Sequence, residues 1–346
     1  VSVGMYFANK ATFEKRGVEV PPERWDTDTF ERIGKQLVDA ANEPGERRTV
    51  FLMDDIRTID LHRSAGLSIF NETLTRCTIN DPRYIRVLKL KHKWMYEDHL
   101  IPSLAERSGF DTASGFGGPR LQLFGRGNYA MIGGGRWLLI QLRKFGELEL
   151  DVSENPHLPG GMPNTTFYTR CATVYRGAEH RDKAELFLAY LASEEYNRQI
   201  IKDADALPPN PRYADTEAFR NPPDYPNEHG IHEPFYNAAM NIAIAVPASP
   251  FVLKSVHGRH IKEAEDAFMN DRMSAEDAAL QAAGRINAEI VRTLEEQPKL
   301  RPEYDRRVAT QEKIDALRAA GEPVPVEWID NPFHRKWYAY NGWLAE

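Results

Sequence analysis

Hydrophobic and polar positions along this chain alternate between short apolar runs and stretches of helical period. Residues 1–7 alternate as a strand, and 9–17 follow as a short helix stopped by Gly17. Pro21 and Pro22 hold the next link extended, because the ring fixes φ and disfavours helix at the residue before it. Phe30, Ile33, Leu37 and Ala41 then recur at helical spacing, with Asp28 and Glu31 placed as a capping-box start. Residues 50–53 predict a strand. Asp81 and Pro82 predict a helix start, with Tyr84, Val87, Leu88, Trp94 and Met95 on its buried face. Residues 108–119 are rich in Gly, Ser and Thr and read as a loop. Further on, 165–174 is strand-like and 184–201 is amphipathic, with Phe187, Tyr190 and Leu191 on one side. Prolines crowd 207–234, an irregular segment tied down by interleaved aromatics. Residues 251–270 read as a helix, and Ser274 caps the next, in which Ala279, Ala283, Ile286 and Ile290 recur. Arg306 to Ala320 forms a charged helical pattern stopped by Gly321. Strands interspersed with helices make this an α/β chain.

The stretch 121–145 organises the rest. Residues 129–132 form a short apolar strand, and Gly133, Gly134 and Gly135 follow, read here as a hard turn because glycine takes positive φ without steric cost. Trp137 falls where a new helix begins, so its large apolar face stands beside unpaired backbone N–H groups. That combination suits a sugar ring or another small polar ligand. Arg136 adds a bidentate donor from the same turn. The plainer alternative is a Trp that fills a helix–sheet core. Gly125 to Ala130 also match the letters of the dinucleotide fingerprint G-x-G-x-x-G/A. That motif needs a strand before it and a helix after it, and here the order is reversed, so it is rejected.

Composition narrows the field only in part. A chain of 346 residues is long enough for two domains and a sizeable core. Its net charge of -7 argues against non-specific nucleic-acid binding, and no apolar run approaches the ~20 residues of a membrane span. Two cysteines, Cys77 and Cys171, allow one disulfide without demanding it, and no C-x-x-C motif points to metal or redox chemistry. His257 and His260 stand three apart and could face one metal on a helix, but a solvated surface is the plainer reading. No cofactor motif is present. Asp54-Asp55 and Glu194-Glu195 are neighbouring carboxylates that point apart and cannot flank one glycosidic bond. There is no G-x-S-x-G and no P-loop. A glycosidase using carboxylates distant in sequence stays open as a second hypothesis; it would hydrolyse an oligosaccharide, whereas a binding protein returns its ligand unchanged.

Several runs together carry a family resemblance. Gly127, Ala130, Met131, Gly135 and Trp137 fit x-G-x-x-A-M-x-x-x-G-x-W. Asn9, Lys10, Phe13, Glu14, Lys15, Gly17, Pro21, Pro22, Trp25 and Asp26 fit a Y-N-K-x-x-F-E-K-x-G run followed by P-P-x-T-W-D. The turn 64–72, the Pro-Gly loop 156–163 and the stretches 180–196 and 272–287 add further matches. The chain resembles the extracellular solute-binding proteins of bacterial ABC importers, in the branch of maltose- and oligosaccharide-binding proteins. The resemblance implies a two-lobe α/β fold of the periplasmic-binding-protein type. It assigns 1–175 to the second lobe, 176–245 to a helical return segment of the first, 246–298 to C-terminal helices of the second, and 299–346 to a C-terminal extension. The match runs over 7–287 and begins partway into the family's pattern, so the first lobe is expected to be partial. The aromatic tail with Trp328, Phe333, Trp337, Tyr338, Tyr340 and Trp343 is expected to pack onto the body.

By the same resemblance Trp137 stacks on sugar, Tyr168 and Arg170 follow the Pro-Gly loop into the cleft, and Arg136, Asn9, Ser64 and Phe251 are further candidates by position. Ala8 stands where the family has a sugar-stacking Tyr, with Tyr6 or Phe7 as substitutes. If Arg136 and Arg170 both face the cleft, an acidic or phosphate-bearing sugar fits, since guanidinium pairs well with such anions. The implied protein is a monomeric, non-catalytic carbohydrate carrier without cofactor or nucleic acid, periplasmic or extracellular with or without a lipid anchor, and partnered by ABC permease subunits. A truncated relic that folds and binds nothing is the third reading.

Overall fold

The computed structural model describes residues 1–110, 118–146 and 148–345. The chain forms two compact units that interleave in sequence. One comprises Val1–Ile56, Asp98–Pro159 and Pro163–Ala243; the other comprises Arg57–Glu97, Gly160–Met162 and Ile244–Glu346.

The first unit is built on strands β1 (Ser2–Val3), β2 (Met5–Asn9), β3 (Phe51–Met53), β4 (Tyr129–Gly134), β5 (Leu150–Ser153) and β6 (Thr165–Tyr168). Four of them form a sheet in the order β3-β4-β2-β5. Strand β2 runs antiparallel to β4, with Phe7 opposite Ile132, and antiparallel to β5, with Phe7 opposite Val152. Strand β3 runs parallel to β4. Every residue of β2 is buried, which is what its unbroken apolar Met-Tyr-Phe-Ala run requires of a central strand covered on both faces. Phe7 therefore sits in the core, its ring 5.4 Å from that of Phe235, and Tyr6 is buried with its hydroxyl donating to the Asp55 carbonyl at 3.3 Å. Neither is placed as a substitute for the aromatic expected at Ala8.

The glycine run works by size and not by turning. Gly133 and Gly134 complete β4, and Gly135 has φ −91°, so none of the three takes positive φ. A Cβ on Gly133 would lie 3.0 Å from the Tyr6 ring, one on Gly134 would run into Leu138, and one on Gly135 into Ser2 and Trp137. The backbone approaches its neighbours too closely for any side chain.

Helix starts follow their local chemistry. The helix Thr27–Ala41 is capped by Asp26, not by Asp28: the Asp26 carboxylate accepts from the Thr29 N–H at 2.9 Å, which holds it below the usual carboxyl range. Phe30, Ile33 and Leu37 are buried as the periodicity requires. The amphipathic stretch expected over 184–201 is two helices, Arg181–Leu191 and Glu194–Asp203, parted by Ser193, whose hydroxyl caps the second. Only Thr165–Tyr168 of the strand-like run is strand. Residues 108–110 close the helix Leu104–Phe110, residues 118–119 open the helix Gly118–Gly125, and the rest of the expected loop, 111–117, lies outside the described residues.

The second unit is helical. Pro82–Tyr96, capped by Asp81, packs with Lys254–Met269 and Ala275–Glu296 around Leu88, Phe251, Ala279, Ala283, Ile286 and Ile290. His257 belongs to this core and not to a solvated surface. It is 3% exposed, edge-on to Phe70 at 5.2 Å, and burial lowers its pKa to about 4.

The C-terminal extension docks on the turn around Glu72. Helix Arg301–Ala320 ends at Gly321 and is followed by helix Pro332–Asn341. Trp337 covers Gly66, where a Cβ would lie 2.5 Å from the indole ring. The Glu72 carboxylate is buried and accepts from Arg318 Nη1 at 2.9 Å, Gln311 Nε2 at 2.8 Å and the Tyr338 hydroxyl at 2.5 Å. Its main-chain carbonyl accepts from the N–H groups of Asp330 and Asn331. Burial alone would raise the Glu72 pKa; His334 nearby and the hydrogen bonds from Tyr338 and Gln311 outweigh it and bring it from 4.5 to about 2. A depressed carboxyl contributes stability that is present above its unfolded pKa and lost as the pH falls through the folded one. Glu72→Ala is therefore expected to lower unfolding free energy by about 3 kcal/mol at neutral pH, and to flatten the loss of stability that the native protein shows between pH 4.5 and 2. Urea denaturation across that range checks both; an unchanged midpoint would show that the extension is held by its aromatics alone.

Candidate functional site

After β4 the chain passes through Gly135 into a 3-10 turn, Arg136–Leu138, and then the short helix Leu139–Leu142. Leu138, Leu139 and Leu142 are buried and fix this turn against the sheet. Arg136 and Trp137 consequently diverge, one inward and one outward.

Arg136 is 2% exposed. Its guanidinium donates to the carbonyls of Ile201 at 2.8 Å, Ala206 at 2.8 Å and Ile200 at 3.2 Å, and its Nε donates to His232 Nδ1 at 2.9 Å. The Phe219 ring lies 4.8 Å from the guanidinium carbon. Two of these carbonyls close the helix Glu194–Asp203, where the last turn has no intrahelical donors and the dipole favours a cation. Because His232 Nδ1 accepts from Arg136, the ring proton lies on Nε2, 3.0 Å from Glu228 Oε2. Burial lowers the His232 pKa, so the imidazole is neutral. Glu228 would be raised by burial, but the two-pronged hydrogen bond from Arg143, at 2.6 and 2.9 Å, and the bond from His232 hold it below the usual range. Burial brings the Arg136 pKa down to about 9 against the pull of Glu228, which leaves it charged at neutral pH.

Trp137 turns the other way, into a cleft of about 450 Å³ that it lines with Ser2, Tyr168, Arg170, Tyr196 and Asp205. Ser2 and Tyr168 stand opposite each other in the β1–β6 pair. Tyr168 is 44% exposed, so much of its ring is open to a ligand. Arg170 and the Trp137 indole N–H make no hydrogen bond among the described residues, and Arg170 makes no ion pair there. Asp205 follows Ala204, whose φ of 55° ends the helix Glu194–Asp203. The cleft thus offers aromatic faces, one cationic side chain, one carboxylate and hydroxyl groups, a set that can sandwich a ring and bind its polar substituents. Ile200, Asp205 and Ala206 line the cleft while Arg136 holds the carbonyls of Ile200 and Ala206. Arg136 therefore supports the cleft from beneath without lining it.

Of the residues expected at the site, the structure brings together Trp137, Tyr168 and Arg170. Arg136 is engaged inside the protein. Asn9 is buried at the start of the helix Lys10–Glu14 and donates to the Phe124 carbonyl at 3.2 Å. Ser64 is buried in the second unit, where its carbonyl accepts from the Met162 N–H at 3.3 Å, and Phe251 is buried there, edge-on to Tyr304 at 5.0 Å. Cys171 lines the cleft as an exposed free thiol; Cys77 is free and buried, and burial pushes its pKa up to about 12. Asp54 is paired with Arg120, and Glu194 with Arg198 at 2.7 Å, so neither adjacent carboxylate pair forms a joint site. Sequence reasoning missed Ser2, Tyr196 and Asp205. Asp205 left one signal, a carboxylate at a helix C-terminus, where the dipole disfavours it.

Residues 112–227 match the sequence model of the family described as bacterial extracellular solute-binding protein. No curated protein matches the chain. Among solved structures, the chain is similar to the ABC substrate-binding protein Lmo0181 of Listeria monocytogenes in complex with cycloalternan, at 22% identity and a TM-score of 0.68, over 83% of this chain and 69% of that one. It is also similar to the maltose/maltodextrin-binding domain MalE of Bdellovibrio bacteriovorus bound to maltotriose, at 14% identity and a TM-score of 0.62, over 83% and 70%. A solute-binding protein of an ABC transporter from Thermotoga lettingae bound with α-D-tagatose matches at 13% identity and a TM-score of 0.67, over 84% and 70%. The α/β fold is that of the two-lobe periplasmic binding proteins.

Removing the Arg136 charge would leave three carbonyls and a buried imidazole without their donor. Arg136→Gln is expected to cost about 3 kcal/mol or more in urea denaturation, and Arg136→Lys, which keeps the charge but loses the planar fork, about half that. Equal stability of the native protein and Arg136→Gln would contradict the role assigned to this side chain.

Proposed function

We propose that this chain is the substrate-binding component of an ABC importer, holding a neutral sugar or oligosaccharide against Trp137 and Tyr168 without chemical change. The observation that carries the reading is the meeting of Trp137, Tyr168 and Arg170 in one cleft, on a fold whose similar structures hold cycloalternan, maltotriose and tagatose. A pyranose ring presents an apolar face to an aromatic ring and directs hydroxyls outward, where Arg170 can donate and Asp205 can accept. Because Arg136 is turned into the protein, the side chains lining the cleft include one cation, Arg170, and one carboxylate, Asp205. That balance favours an uncharged ligand over the acidic or phosphorylated sugar that two arginines would suit.

The same lining argues against the glycosidase alternative. Hydrolysis of a glycosidic bond uses a pair of carboxyl groups flanking it, and among the described residues that line this cleft Asp205 is the sole carboxylate side chain. The protein acts outside the cytoplasm as a monomer, delivering its ligand to membrane permease subunits.

Isothermal titration with maltotriose, cycloalternan and D-tagatose tests it. At least one is expected to bind, and Trp137→Ala is expected to weaken that binding by about tenfold or more, the loss of one stacked aromatic contact. Tyr168→Ala should act in the same direction. Absence of binding to all three sugars would favour the relic reading, and appearance of shorter products on incubation with maltotriose would favour the enzyme.

A further inference from the structure

The helix Glu194–Asp203 borders two different cavities. Tyr196 and Ile200 line the Trp137 cleft, whereas Arg198, Ile201 and Lys202 line a separate cavity of about 270 Å³ that shares no residue with it. The opposite wall comes from the proline-rich run after the helix. Asn210 caps the turn Pro211–Tyr213 and Thr216 caps the short helix Glu217–Arg220, after which Pro222, Pro223 and Tyr225 complete the lining.

The floor of this cavity is apolar and already satisfied. Ile201 is 7% exposed and Tyr213 8%, and Pro222 is buried. The Tyr213 hydroxyl accepts from Arg212, and the Thr216 hydroxyl donates to the Tyr213 carbonyl at 3.0 Å. Tyr225 is half-buried, its ring held by the Arg143 guanidinium 3.4 Å from the centroid, and Arg143 is itself anchored on Glu228. The rim is charged. Lys202 and Asp224 are both exposed, and neither makes an ion pair or a side-chain hydrogen bond among the described residues. Arg198 is engaged by Glu194 at 2.7 Å. Lys202 stands in the last turn of its helix, where the dipole favours a cation.

A ligand that suits both layers has a flat apolar body and, at one end, a carboxylate together with an ammonium. A sugar does not fit that description. Its hydroxyls radiate from the ring, and those facing Ile201, Tyr213 and Pro222 would lose water without gaining partners. An aromatic carboxylate without an amine would leave Asp224 as a like charge beside it. The volume falls at the small end of ordinary ligand pockets, about 300–1,000 Å³, and admits one ring. We propose that this cavity binds a free aromatic amino acid, with its ring against Tyr225 and Pro222, its carboxylate on Lys202 and its ammonium on Asp224. The inference does not depend on the sugar reading, because the two cavities have no lining residue in common.

The test is a titration of the 346-residue chain with L-phenylalanine, 3-phenylpropanoate and 2-phenylethylamine, followed in a two-dimensional amide spectrum. L-phenylalanine is expected to shift amides within 198–203 and 213–225 along one curve, and each analogue to bind about fivefold more weakly or worse, having lost one charged contact. Lys202→Met is expected to reduce L-phenylalanine to the affinity of 2-phenylethylamine, and Asp224→Asn to that of 3-phenylpropanoate. Both side chains are exposed and unpaired, so the unfolding temperature of each variant should match that of the native protein. Absence of shifts in these segments up to the solubility of L-phenylalanine overturns the proposal, as do shifts at the Trp137 cleft alone. Binding of 3-phenylpropanoate as tight as that of L-phenylalanine, or unchanged affinity in either variant, also contradicts it.

Discussion

A buried guanidinium sets the geometry of the candidate site. Arg136 enters a region where the helix Glu194–Asp203 ends and main-chain carbonyls would otherwise be left without donors. Its planar fork reaches carbonyls on both sides of that helix end and a histidine from another helix, so one side chain fixes three segments relative to β4. The charge is tolerated because it is surrounded by acceptors and backed by Glu228 through His232. Gly133, Gly134 and Gly135 make the arrangement sterically possible, since side chains there would collide with Tyr6, Leu138, Ser2 and Trp137. With Arg136 committed inward, the next residue along the turn faces outward, and the position of Trp137 in the cleft follows.

The second unit uses the same device with the opposite sign. Glu72 is a buried anion at the tip of a turn, and donors from Arg318, Gln311 and Tyr338 converge on it from the C-terminal extension. Asn331 adds bonds to the carbonyls of Phe70 and Asn71 and to the Ser68 hydroxyl. In both units a local element that is apolar in sequence is oriented by one charged side chain whose partners lie far away along the chain.

That distance explains which features were legible in the sequence. The α/β class, the caps at Asp81 and Ser274 and the buried faces of the long helices follow from local periodicity and short-range hydrogen bonding, and each is present. The placement of Trp137 on the turn after β4 was legible from its neighbours in sequence, the strand and the glycines, whereas the residues it meets in the cleft, Ser2, Tyr168, Arg170, Tyr196 and Asp205, lie far away along the chain. Arg136 was misread because its partners are Ile200, Ile201, Ala206 and His232, which nothing near it in sequence announces. Asn9, Ser64 and Phe251 were chosen by position in a family pattern, and the structure surrounds each with protein atoms. Ser2 enters the cleft only because β1 pairs with β6, and strand pairing is not written in either strand alone. The glycine run shows the same limit: its composition was read as freedom in φ, whereas its use is close approach.

The most direct test of the account is the indole N–H resonance of Trp137, followed in a two-dimensional amide spectrum as maltotriose is added. Trp137 and its cleft neighbours Tyr168, Arg170, Asp205 and Ala206 are predicted to shift together along one binding curve. Shifts confined to residues outside this cleft, with the Trp137 resonance unmoved at saturation, would contradict the assignment of this cleft as the sugar site.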